Sequence, residues 1–149
     1  MAKLPPKPTV HEILDAVHKA KTKQKKIEVL REYDSKALRY CLIWNYDESL
    51  KSALPEGEVP YKPNESPTLE SQSKLASEYR TLYNFIEGGN YDLTTTRREV
   101  LFIQLLEAID PGEAEVLCLV KDKKLAKKYR CSFPVVQEAY PDIKWGGRV

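Results

Sequence analysis

The chain has 149 residues, 24 Lys and Arg against 22 Asp and Glu, a net charge of +2 and 42% hydrophobic residues. That length suits one domain able to bury roughly 68–70% of its unfolded surface, so no disulfide or metal staple is required. No apolar run approaches the ~20 residues of a membrane span, and the start M-A-K-L-P-P-K-P lacks the apolar centre of a signal peptide, so a soluble, cytoplasmic protein is expected.

Residues 1–8 are a proline-rich lead-in predicted to be flexible, residues 9–143 a single helical domain, and residues 144–149 a loose tail. Thr9 and Glu12 form a capping box before the helical spacing of Val10, Ile13, Leu14 and Val17. His11 and His18 share this helix without an accompanying acid or cysteine pattern, so neither a metal nor a catalytic role is expected. Thr22 caps a second helix with Ile27 and Leu30 inward. Lysines on its first turn oppose the helix dipole, a local cost that is easier to understand if an anion binds there. Asp34 or Ser35 caps a third helix carrying Ala37, Leu38, Cys41, Leu42 and Trp44 into the core.

The proline-rich stretch L-P-E-G-E-V-P-Y-K-P-N-E-S-P, residues 54–67, cannot be helical and reads as a long loop stapled over the core by Val59 and Tyr61. Ser66 or Thr68 restarts helix, with a stripe at Leu75, Tyr79, Leu82 and Ile86 ending at Gly88-Gly89. Residues 96–120 hold two helical patterns with a sharp break. Thr96 and Glu99 form a capping box, and only Gln104 and Glu107 are strongly polar between residues 100 and 109, which predicts a buried central helix. Asp110, Pro111 and Glu113 open the next helix, packed beside it because the connection is short. Ser132 and Pro134 begin a last short helix with Val135, Val136 and Tyr140 inward, before Pro141 stops it. Cys41, Cys118 and Cys131 have no zinc spacing and read as free thiols in a reducing compartment. The fold class is all-α: a single compact domain of six or seven helices with a long proline-rich loop.

Charge is segregated along the chain. Five lysines and no acid lie between residues 19 and 26, and six cations face only Asp122 between residues 121 and 130. Residues 45–70 hold six acids against Lys51 and Lys62. Such segregation fits a bipolar surface with a basic face for a polyanion; the plainer alternative is a set of solvated helix faces. Enzyme signatures are missing: there is no Gly-rich phosphate loop and no G-x-S-x-G elbow, and carboxylate pairs such as Glu113 and Glu115 lie on predicted helix surfaces where neighbours two apart do not converge. No catalytic residue, metal, cofactor or small-molecule substrate is expected.

T-K-Q-K at residues 22–25 and V-L-R-E-Y-D-S-K-A-L-R-Y at 29–40 resemble the opening of the N-terminal DNA-binding domain of ATP-dependent DNA ligases, in particular the T-even phage type. The similarity continues through L-Y-N-F-I at 82–86, D-P-G-E-A-E-V-L at 110–117 and V-V-Q-E-A-Y-P-D-I at 135–143. The chain also resembles a family of small proteins of T-even-like phages of cyanobacteria, in which L-P-E-G-E-V-P-Y-K-P recurs and no activity is assigned. The ligase resemblance implies a helical domain that lies against duplex DNA and touches its backbone across the minor groove. It departs from ligases in chemistry, since a K-x-D-G nucleotidylation motif needs an Asp-Gly pair and this chain has none. A stand-alone, non-catalytic DNA-binding accessory protein of phage origin is therefore expected. Lys21, Lys23, Lys25 and Lys26 would hold one run of phosphates and Lys121, Lys123, Lys124, Lys127, Lys128 and Arg130 another, with Arg97 and Arg98 as further contacts. The alternative is a protein-interaction module of the same ancestry that docks on a host or phage replication, transcription or virion protein through residues 45–70.

Overall fold

Short polar side chains start most of the helices. In the computed structural model, which describes residues 8–62, 75–90 and 92–146, α1 (Val10–Lys19) opens on Thr9. The Thr9 hydroxyl accepts the Glu12 N–H, and the Glu12 carboxylate accepts that of Thr9, completing the capping box. Thr22, Ser35 and Asp110 start α2 (Lys23–Glu32), α3 (Lys36–Tyr46) and α6 (Pro111–Lys121), each side-chain oxygen accepting one first-turn N–H. The cap of α5 (Thr95–Ala108) differs from the expectation: Thr94, not Thr96, accepts the Arg97 N–H at 3.1 Å. Three consecutive threonines offer the same hydroxyl, and a distant clasp selects among them. The Arg98 guanidinium donates to the carbonyls of Asn84, Asn90 and Leu93, fixing where the helix can begin.

The stripe at Leu75, Tyr79 and Leu82 is buried, with Ile86 packed partly against the core. It is carried by a short α4 (Leu75–Glu78) that tightens into a 3-10 helix, Tyr79–Phe85, rather than by one long α-helix. The predicted restart at Ser66 or Thr68 lies outside the described residues. Gly88 takes a positive φ of 83°, and a Cβ on Gly89 would sit 2.0 Å from the Tyr83 carbonyl oxygen, so the closing turn admits only glycine there. A further 3-10 turn, Leu125–Lys127, precedes α7 (Phe133–Ala139). Among the described residues there is no strand, only an isolated bridge between Ser52 and Ile86.

The fold is all-α, a single compact domain, and its centre is α6. Ala114, Val116, Leu117 and Val120 of α6 are fully buried, and the helix packs against α1, α3 and α5. The predicted central helix α5 lies nearer the edge. Phe102, Leu105 and Leu106 face inward, while Val100 is 38% exposed and Leu101 and Ile103 are only half-buried. An almost continuously apolar sequence cannot report which side meets solvent when some of its apolar residues are left at the rim.

Trp44 on α3 is the largest fully buried side chain, and its indole N–H donates to Ser52 Oγ at 2.8 Å. Val59 and Tyr61 pack partly on the core as the loop reading required. Trp145 meets Phe133 edge-on with centroids 4.9 Å apart. No helix of the described residues is long and apolar enough to cross a membrane.

Candidate nucleic-acid interface

Two basic segments separated by about a hundred residues meet at the end of α1. The Arg130 N–H donates to His18 Nδ1 at 3.0 Å, and the Lys26 ammonium donates to the carbonyls of Val17 and His18 at 2.7 and 3.4 Å. The Tyr129 ring stands edge-on to His18, with centroids 6.5 Å apart. These contacts enclose a groove of about 490 Å³ whose rim includes Lys23, Lys26 and Arg130 and whose floor includes Tyr129, Cys131 and Val135.

Lys21 and Lys25 lie on the turn beside Lys23 at the start of α2, and Lys127 on the 3-10 turn next to the groove residue Ala126. Lys21, Lys25, Lys127 and Arg130 are exposed and form no ion pair among the described residues. Lys23 reaches Glu138 at 3.5 Å, with both side chains more than half exposed, a pairing worth little in water. The first turn of α2 carries no acid, so the positive end of its dipole adds to the lysines.

The remaining predicted cations are placed differently, and most are already occupied. Lys121 is 3% exposed; its ammonium holds the carbonyls of Pro55 and Gly57 and the Asp122 carboxylate at 2.7, 3.1 and 2.6 Å. It straps the proline-rich loop to α6 and cannot reach a phosphate. Lys123 takes a left-handed φ of 56° that aims its ammonium at the Trp44 and Asp47 carbonyls, closing the C-terminal end of α3. Burial lowers its pKa from the ordinary lysine value. Lys124 pairs with Glu56 at 3.5 Å and Lys128 pairs with Glu115. Arg98 is the carbonyl clasp of α5, whereas Arg97 is exposed on the first turn of that helix. The single cationic wall expected from sequence thus divides. Lys21, Lys23, Lys25, Lys26, Lys127 and Arg130 border one region, while Lys121, Lys123 and Lys124 turn toward the acidic residues 45–58.

His18 is the positioning residue that the sequence reading did not single out, because its acceptor role depends on a partner 112 residues away. His11 is likewise structural, 2.8 Å from the Thr9 hydroxyl and 3.7 Å from Asp110. Cys41 and Cys131 are buried free thiols and Cys118 is half-buried; burial pushes the first two up to about 12 and Cys118 up to about 11. No cluster of ligating side chains that could hold a metal ion occurs among the described residues.

No curated protein and no solved structure matches the chain. The sequence profile of a family of unknown function, DUF6433, matches residues 13–127, most of the chain, and the protein belongs to that family.

Proposed function

We propose that the protein is a non-catalytic DNA-binding module that grips the backbone of a duplex along the groove at the end of α1. The carrying observation is the His18 to Arg130 contact, which sets Arg130 beside the Lys21 to Lys26 turn and leaves four exposed cations there without carboxylate partners. Lys21, Lys23, Lys25, Lys127 and Arg130 hold phosphates; Lys26 holds the groove together. Lysine-rich, base-blind contact of this kind reads backbone and shape. The resemblance to the DNA-binding domain of phage-type ligases supports the same reading and its phage origin.

Five engaged phosphates make affinity for a duplex fall on the order of 500-fold between about 50 and about 200 mM salt. An anisotropy titration with a fluorescein-labelled duplex at the two salt concentrations reads this. The combined charge reversals Lys21→Glu, Lys25→Glu and Arg130→Glu abolish retention at low salt. Unchanged retention in that variant, or binding indifferent to salt, removes the proposal and leaves docking on a protein through residues 45–70 as the reading to pursue.

A further inference from the structure

A second surface mixes aromatic rings and cations, which the lysine groove does not. Tyr40 on α3 and Tyr83 on the 3-10 helix are 45% and 52% exposed, the two most exposed of the large hydrophobic side chains among the described residues. They flank an apolar slot of about 310 Å³ walled by Ile43, Trp44, Leu50, Leu82 and Ile86. That volume falls at the lower end of small-ligand sites.

The slot is rigidly built. The Tyr40 ring stands edge-on to Tyr79, with centroids 5.0 Å apart and planes at 89°. Gly89 presses the closing turn against the Tyr83 carbonyl, so the backbone itself sets where Tyr83 sits. Cations border the rings. The Arg80 guanidinium lies 5.6 Å from the Tyr79 ring centroid and donates to its hydroxyl at 3.3 Å. Lys36 precedes Tyr40 by one helical turn and so shares its face of α3. Neither Lys36 nor Arg80 is ion-paired among the described residues; Asp34, two residues before Lys36, is held by Arg39, and Glu78 precedes Arg80 by two residues at the start of the 3-10 helix.

Exposed tyrosines around a concave apolar surface mark a place where something binds. Rings interleaved with unpaired cations suit a ligand that is itself a flat ring next to a phosphate. We propose that this slot takes an unpaired nucleobase of a single-stranded nucleic acid, stacked against Tyr40 and Tyr83 while Lys36 and Arg80 hold the adjoining phosphates. The pattern is that of a stacking platform, tolerant of sequence because every base has a π-face. It stands independently of the lysine groove, which offers cations without exposed rings.

The test uses the full chain and a fluorescein-labelled ten-residue oligothymidylate, read by anisotropy at about 50 mM salt, with an abasic oligonucleotide of the same length as control. Saturable binding is expected, weaker by about tenfold or more for the abasic strand and for Tyr40→Ala and Tyr83→Ala. Tyr83→Phe, which keeps the ring, binds as the parent does. Circular dichroism of the alanine variants stays at parental values, and Tyr40→Ala, which loses the edge-on pair with Tyr79, lowers Tm by only about 2–8 °C, so both variants are folded in the assay at ~25 °C. Lys23→Glu with Arg130→Glu leaves oligothymidylate binding in place while removing duplex retention, which separates the two sites. Equal affinity for the abasic strand, unaltered binding by the alanine variants, or no binding at all overturns the proposal. So does a dimer in sedimentation that Tyr83→Ala converts to monomer, since the face would then be occupied by a second copy.

Discussion

The carboxylate of Glu113, 1% exposed in the first turn of α6, accepts the N–H of Val10 at 3.0 Å across 103 residues of chain. Its other oxygen accepts the Leu75 N–H at 3.3 Å, so one buried acid serves the N-termini of both α1 and α4. Glu113→Ala leaves two buried N–H groups without acceptors, at about 1–3 kcal/mol each. A fall in Tm of about 5–15 °C in a thermal scan is the expected result.

The same residue sets a pH dependence. Desolvation raises the Glu113 pKa above the ordinary carboxylate value of 4.5, outweighing the two backbone hydrogen bonds that lower it. Between that ordinary value and the raised folded one, the folded state binds more protons than the unfolded chain, so stability declines as pH rises through the window and levels off above it. Glu113→Gln, which cannot ionise, flattens that slope in urea titrations run from pH ~4 to ~7. A slope identical in the parent and the variant would assign it to other groups.

Lys121 is a strap. Replacing it by methionine leaves the Asp122 carboxylate with the Gly57 N–H but no cation and strands two loop carbonyls, at about 3 kcal/mol. Amide exchange in residues 55–59 should then accelerate well beyond the change elsewhere, and duplex affinity at fixed salt should be unaltered once folding is corrected for.

Lys26→Ala should cost about 1–2 kcal/mol, because it uncaps the Val17 and His18 carbonyls. Lys21→Ala and Lys25→Ala stay within about 0.5 kcal/mol of the parent. Urea midpoints of the three variants compare them directly; equal midpoints would show that the ammonium of Lys26 is not engaged.

The thiols offer a simple probe of the core. Cys41 and Cys131, pushed up to about 12 by burial, should resist a disulfide reagent at pH ~8 in the folded protein and react fully in denaturant. Reaction of all three within seconds under native conditions would contradict the packing described.

Caps and apolar stripes were legible because their causes are local. Thr9, Thr22, Ser35 and Asp110 each satisfy an N–H two or three residues away, and Val10, Ile13, Leu14 and Val17 repeat at helical spacing. What was illegible depends on distant partners. Lys121 and Lys123 look like any other lysines of their run until the loop carbonyls and the end of α3 are placed against them. Arg98 chose the register of α5 from across a turn, and the edge position of that helix follows from α6 having the larger share of neighbours. Tyr40 and Tyr83, 43 residues apart in the numbering, converge only through the packing of α3 on the 3-10 helix.

The His18 to Arg130 hydrogen bond also has a consequence for biosynthesis. One bank of the groove comes from residues 23–26 and the other from residues 126–135, so a ribosome that has not yet released residue 130 holds a polypeptide on which this cleft does not exist. The surface comes into being only once both segments have emerged, and a shorter nascent chain therefore cannot present it to a ligand prematurely.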